Sequence, residues 1–159
     1  MKTITKRREL YISRYYQASR QQVYRAWTEP KHVARWWGPK DFTNPVCEIE
    51  ARVGGRLRIV MRGSDGTDYP MQGVVTEARA AERFSFDYEA LDSAGKPVLV
   101  GRLSVSLADE DGKTRMSLST YAEGLGMDAV EKLEGMETGW NQSLDRLGRL
   151  LHSLTQERP

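Results

Sequence analysis

The 159-residue chain sets 24 Lys and Arg against 22 Asp and Glu, a net charge of +2 that is too small and too dispersed for a dedicated polyanion binder. A hydrophobic share of 39% with 29% charged residues suits a single soluble domain able to bury its own core, and argues against disorder. The lone cysteine, Cys47, excludes an internal disulfide and any multi-cysteine metal site.

No stretch approaches the ~20 apolar residues of a membrane span, and the first residues lack the apolar h-region of a signal peptide. A cytoplasmic address, no membrane span and no nucleic-acid partner are therefore expected. The basic run Lys6, Arg7 and Arg8 reads as the solvated entrance of a first strand, because no aromatic stacking pattern accompanies it.

In "LYISRYYQAS" aromatic and branched residues predict a strand that ends at Ser19. Ser19 and Gln22 then form a Ser-x-x-Gln capping box opening a helix, in which Val23, Ala26 and Trp27 share a face. Pro30 interrupts that helix and suits the first turn of a second, where Val33, Trp36 and Trp37 recur at i, i+3 and i+4 until Gly38-Pro39 closes it. Two adjacent tryptophans either fill a core or line a binding site.

From Thr43 to Ala122 short alternating segments are separated by turn sequences such as "GSDGTD" and "ADEDGKT", the pattern of an antiparallel meander of about six strands. Leu57, Ile59 and Met61 point one way while Arg56, Arg58 and Arg62 point the other. Phe84, Phe86 and Tyr88 alternate in the same manner with Arg83, Ser85 and Asp87. Leu103, Val105 and Leu107, then Met116 and Leu118, continue the period of two.

Helical period returns from Met127. Asp128 with Glu131 is the expected cap, and Leu133, Met136, Trp140, Leu144, Leu147 and Leu151 form one stripe along one long helix. Six such side chains, at ~1.5–3 kcal/mol each when buried, suffice to dock that helix across the apolar sheet face. The predicted fold class is α+β: a curved antiparallel sheet wrapped around a long C-terminal helix, with two short helices after the first strand, as one domain over residues 1–159. A space between sheet and helix, plugged at one end by the short helices, is a natural consequence.

Nucleophilic triads, zinc motifs and phosphate loops need specific residues at specific spacings, and none is convincing here. His32 and His152 lack metal-pair spacing and read as surface residues. Cys47 reads as a small buried thiol without an activating base. "GLGMDA" matches Gly-x-Gly-x-x-Ala, but the helix after it is the last element, so no second parallel strand completes a dinucleotide-binding unit. Glu48 and Glu50 share a strand face opposite Cys47 and Ile49 and are expected in solvent. Glu77, Asp87 and Tyr88 are candidates for a polar anchor at a cavity edge. No catalytic residue, metal ligand or cofactor is assigned.

What remains is an apolar and polarizable set: Trp27, Trp36, Trp37, Met61, Met71, Phe86, Tyr88, Met116, Met136 and Trp140. Methionines on facing elements adapt to varied shapes, and aromatics from both helical regions converge on one interior, as an apolar pocket requires.

The pieces "ASRQQVYRAWTEPKHVARWWGP", "EIEARVGGRLRIVMRG", "YPMQGVVTEA" and "GMETGWNQSLDRL", in that order, resemble the START-like (SRPBCC, helix-grip) superfamily. Within it the chain is most similar to the group related to the C-terminal domain of the activator of the heat-shock-protein-90 ATPase. The resemblance implies a curved sheet gripping the last helix around a deep hydrophobic cavity, which binds small molecules in many relatives. It also implies that Trp27, Trp36 and Trp37 close the cavity, that Met136 and Trp140 form its helix wall, and that Gly73 faces the interior where a missing side chain makes room.

A hydrophobic or amphipathic small molecule is the first partner this implies. A chaperone or other protein is the second, reached through the outward arginines Arg56, Arg58 and Arg62; against it, the resemblance covers only one domain of the activator. Cyclase- or aromatase-like catalysis is the third, and the few inward polar groups weigh against it. Monomer and homodimer both stay open. Trp36 and Trp37 are expected to be non-equivalent, one packed under the sheet and one facing the mouth.

Overall fold

Ser19 and Gln22 close a reciprocal capping box: the Gln22 amide donates to Ser19 Oγ at 3.1 Å, and the Ser19 amide donates to Gln22 Oε1 at 2.9 Å. That cap ends strand β1 (Ile4–Tyr16) and starts helix α1 (Arg20–Thr28), and Pro30 then opens α2 (Pro30–Trp36) as expected from its ready-made φ. The computed structural model describes residues 4–126 and 129–156, so the expected cap at Asp128 lies outside the described residues.

Six further strands follow: β2 (Thr43–Ile49), β3 (Arg56–Arg62), β4 (Asp68–Arg79), β5 (Arg83–Leu91), β6 (Pro97–Glu110) and β7 (Lys113–Leu125). Together with β1 they make a seven-stranded antiparallel sheet in the order β1-β7-β6-β5-β4-β3-β2. Each neighbour from β2 to β7 is a hairpin partner, and only β1 joins from a distance. The β6–β7 turn at Asp111-Gly112 has φ of 53° and 78°, the double left-handed geometry that a two-residue hairpin needs.

The period of two decides which face is buried. Leu57, Ile59, Phe84, Phe86, Leu103, Val105, Leu107, Met116 and Leu118 are all buried, while Arg56, Arg58, Arg62 and Arg102 are exposed on the other face. The long helix expected at the end is in fact two, α3 (Ala129–Glu134) and α4 (Met136–Gln156), with Gly135 between them. Glycine is costly inside a helix, and here the break is held from outside. Arg8 Nη1 donates to the Leu133 and Glu134 carbonyls at 3.1 and 3.3 Å, and its Nη2 meets Glu137 at 3.0 Å. Arg8 is thus a cap for α3 rather than part of a solvated strand entrance.

The break divides the expected stripe. Leu133 is buried on α3 beneath Gly124, whereas Leu144, Leu147 and Leu151 are buried on α4 against the sheet. Arg14 ties β1 to the same helix through Asp145 at 2.7 Å and Asn141 Oδ1 at 2.9 Å, and the Tyr16 hydroxyl donates to the Leu144 carbonyl at 2.9 Å. The architecture is the α+β helix-grip fold: a curved sheet, a long helix across its concave face, and two short helices at one end.

Candidate functional site

The four tryptophans form one cluster. Trp27 lies 4.7 Å from Trp36, 6.4 Å from Trp37 and 6.1 Å from Trp140 between ring centroids, and Trp37 meets Trp140 edge-on at 5.3 Å. Their polar ends are satisfied differently. Trp36 Nε1 donates to the Ala26 carbonyl at 2.7 Å, and Trp27 Nε1 points at Met116 Sδ at 3.3 Å. Trp36 is wholly buried, so α1 and α2 lock together around it.

Trp37 is the C-cap of α2, and beyond it the chain turns at Gly38 with φ of 98°. This "RWWGPKDF" turn is held from α4 by Gln142, whose Oε1 accepts from the Lys40 amide at 3.0 Å, and above all by Arg146. Arg146 Nη1 donates to the carbonyls of Trp37, Gly38 and Pro39 at 3.2, 2.9 and 2.9 Å, and Nη2 donates to those of Phe42 and Arg35 at 3.0 and 3.3 Å. Burial lowers the Arg146 pKa, and the nearby Arg149 charge lowers it further.

With α2 and its turn pinned in this way, the sheet and the helices do not fill the space between them. A cavity of about 410 Å³ opens there. Trp37, Pro39 and Phe42 form one end, Met136, Gly139 and Trp140 form the helix wall, and Met61, Met71, Phe86 and Tyr88 rise from the sheet. The cavity therefore brings together seven of the side chains expected around it: Trp37, Met61, Met71, Phe86, Tyr88, Met136 and Trp140.

Trp27, Trp36 and Met116 lie outside the lining, in the core behind Trp37 and Trp140. Trp36 and Trp37 are accordingly non-equivalent, one in the core and one on the cavity wall. Gly73 also lies outside it. It pairs with Tyr88, and a Cβ there would run into the Asp87 carbonyl, so its bareness serves the close approach of β5 and not the cavity.

Sequence reasoning missed Phe42, Tyr69, Ala90, Leu91, Leu99 and Leu103 as lining residues. Most were within reach of the period of two, since Tyr69 precedes Met71 by two and Ala90 follows Tyr88 by two. Glu131 and Lys132 gave no such signal, because they reach the cavity only through the break at Gly135. Lys132 Nζ sits 4.9 Å from the centre of the Tyr69 ring, and Tyr69 in turn meets Phe42 at 5.8 Å.

These two are the charged residues among the described lining, and they belong to α3. Tyr88, like Tyr69, is a polar group on the sheet wall, with its hydroxyl 3.5 Å from the Tyr121 carbonyl and its pKa pushed up to about 12 by burial. It stays protonated near neutral pH and can donate or accept a hydrogen bond. Asp87 and Glu77 are engaged elsewhere, Asp87 with Arg102 and Glu77 with Arg83 at 2.8 Å, so neither anchors the cavity edge.

Cys47 is half-buried, and burial pushes its thiol up to about 11. Glu48 and Glu50 are exposed. His152 is exposed and His32 half-buried, and no three potential metal-ligating side chains gather among the described residues. The glycine-rich "GLGMDA" begins at the end of β7, which is flanked by antiparallel strands on both sides; its Met127 and Asp128 lie outside the described residues. Of the outward arginines, Arg62 holds Asp68 at 2.7 Å, and Arg58 lies 4.0 Å from Glu48. No helix among the described residues is long and apolar enough to cross a membrane.

No curated protein shows significant similarity to the chain. Solved structures do. A protein from Chromobacterium violaceum is 26% identical with a TM-score of 0.76, over 90% of this chain and 96% of its own. A protein from Arthrobacter aurescens, 24% identical, has a TM-score of 0.77 over 95% and 93% of the two chains. The AHSA1 protein of Silicibacter pomeroyi shares the fold at 21% identity and a TM-score of 0.77, over 95% of this chain and all of its own.

The model of the family described as activator of Hsp90 ATPase homolog 1-like protein matches residues 17–152, from just before the capping box to the last turns of α4. With most of its length matched and the helix-grip fold in place, the chain belongs to that family, within the START-like superfamily.

Proposed function

We propose that this protein binds a hydrophobic or amphipathic small molecule, in the cytoplasm, within the cavity between the sheet and α4. The observation that carries the reading is the cavity itself: about 410 Å³ with aromatic and methionine walls. Ligand pockets of roughly 300–1,000 Å³ hold drug-sized molecules, and apolar walls with a few polar groups are their usual chemistry. Burying the ligand's apolar body against Trp37, Phe86 and Trp140 supplies the driving force. Among the polar side chains that border the space are Tyr69, Tyr88, Glu131, Lys132 and Ser143. Tyr88 suits a hydroxyl or carbonyl, while Lys132 and Glu131 suit a polar end directed towards α3.

A thermal-shift screen of purified, delipidated protein against fatty acids, sterols, aromatic polyketides and flavonoids tests this. A ligand at 100 times its dissociation constant adds ~2.7 kcal/mol of stability, which for a domain of this size is roughly 5–10 °C. The expected result is a saturable shift for one chemical class, lost in a folded Trp140→Ala variant. An environment-sensitive naphthalene dye provides a class-independent arm. No one-to-one dye binding, together with no shift in the screen, would remove the reading and leave a protein partner as the alternative.

A further inference from the structure

We propose a second site further along α4, a hollow of about 220 Å³ lined by Arg35, Arg146, Arg149, Leu150 and Ser153, which takes a phosphate-type oxyanion. Arg146, Arg149, Leu150 and Ser153 stand at i, i+3, i+4 and i+7 on α4 and therefore share one face. Arg35, in the last turn of α2, completes the lining from the neighbouring helix. Leu150 is only 5% exposed, so the hollow has an apolar floor beneath its cationic rim.

Elsewhere among the described residues most arginines are paired with a carboxylate, Arg25 and Arg56 excepted. Arg8, Arg14, Arg20, Arg62, Arg83 and Arg102 each hold a carboxylate of this chain. Among the described residues, Arg35, Arg146 and Arg149 hold none. Arg146 is committed through Nη1 and Nη2 to backbone carbonyls, and its Nε–H has no acceptor among those residues.

The Arg149 charge works against that of Arg146, and Asp41 offsets it only in part. An anion between the guanidiniums relieves this repulsion. Arg35 and Arg149 can offer paired N–H donors and Arg146 its Nε–H, and a dianion with several oxygens uses this set better than a carboxylate does. Ser153 adds a hydroxyl to the same rim.

The test is a backbone-amide NMR titration of the intact protein with inorganic phosphate, pyrophosphate and acetate at matched ionic strength. Saturable shifts centred on residues 35, 146–149 and 153 are expected with phosphate and pyrophosphate, and at least about tenfold weaker binding with acetate. The Arg35→Gln/Arg149→Gln variant, checked for an unchanged melting profile, is expected to lose about tenfold or more in affinity. Arg146 is left in place because it holds the turn. Arg35→Lys/Arg149→Lys preserves charge without the forked donors and is expected to fall between.

Shifts that grow linearly without saturation, an equal response to acetate, or no effect of the glutamine variant would each overturn the proposal. None of Arg35, Arg149, Leu150 and Ser153 lines the large cavity, so this result and the small-molecule screen fail or succeed separately.

Discussion

Arg146 Nη1 donates to the Trp37 carbonyl at 3.2 Å, joining the middle of α4 to the residue that forms one end of the cavity. The same guanidinium meets four more carbonyls within a single turn of chain, so the position of the Trp37 ring depends on a cation two helices away. A helix C-terminus leaves carbonyls without partners, and at the end of α2 the Arg146 guanidinium takes those of Arg35 and Trp37 while Asn44 Nδ2 takes those of Ala34 and Trp37.

Arg146→Lys is therefore not a conservative change. A lysine ammonium has three donors on a point charge and cannot span carbonyls from Arg35 to Phe42. We expect a loss of roughly 2–4 kcal/mol, from several partly buried carbonyls left unpaired. Urea unfolding followed by tryptophan fluorescence measures it, and a change below about 0.5 kcal/mol, the size of an ordinary surface substitution, would show that solvent replaces the arginine without cost.

Trp36→Ala and Trp140→Ala separate core from cavity wall. Trp36 is wholly buried and loses its bond to the Ala26 carbonyl, so about 3–5 kcal/mol is expected. Trp140 is only partly buried and borders open space, so its loss is set at about 1–3 kcal/mol, with a larger cavity as the result. Equal destabilisation of the two variants would mean that the Trp140 ring is core.

Cys47 and Tyr88 give the stability a dependence on alkaline pH. Both folded-state values lie above the ordinary ones, at about 11 against 9.0 and about 12 against 10.0, so the unfolded chain loses its proton first as pH rises. Their contribution is complete below pH 9 and declines first through Cys47 between 9 and 11, then through Tyr88 between 10 and 12. Cys47→Ala is expected to flatten the stability profile between pH 9 and 11. Alkylation of the native thiol by iodoacetamide should be slow at neutral pH; a rate equal to that of a free thiol would contradict its burial.

Gly73→Ala tests the tight β4–β5 pairing. The added Cβ meets the backbone carbonyl of Asp87, which cannot move without shifting the ladder. We expect a loss of roughly 2 kcal/mol or more, read as a lower melting temperature and less soluble protein. Gly73→Ala at wild-type stability would show that the sheet yields there.

Much of the fold was legible because its signals are local. Ser19 with Gln22, Pro30 at the first turn of α2, and the alternation of Leu57 with Arg58 or Phe86 with Asp87 each follow from contacts within a few residues of chain. The same alternation, carried two residues further, reaches Tyr69 and Ala90 on the cavity wall. Gly135 also had a local signal, a glycine within a helical pattern, but its effect depended on Arg8 arriving from the first strand.

By itself, then, the sequence determined the order of elements up to the last helical region, the inward face of most strands of the meander and a set of apolar side chains available to a cavity. Helical and strand periods are properties of a short stretch of backbone, so they can be read without knowing what lies opposite. The tertiary structure decided which of those side chains meet empty space. It placed Trp36 in the core and Trp37 on the wall, and turned Gly73 towards a neighbouring strand. It also gave Arg146 carbonyl partners 104 to 111 residues away in the chain. Such contacts arise from the curvature of the sheet and the line on which α4 crosses it, quantities that no local pattern encodes.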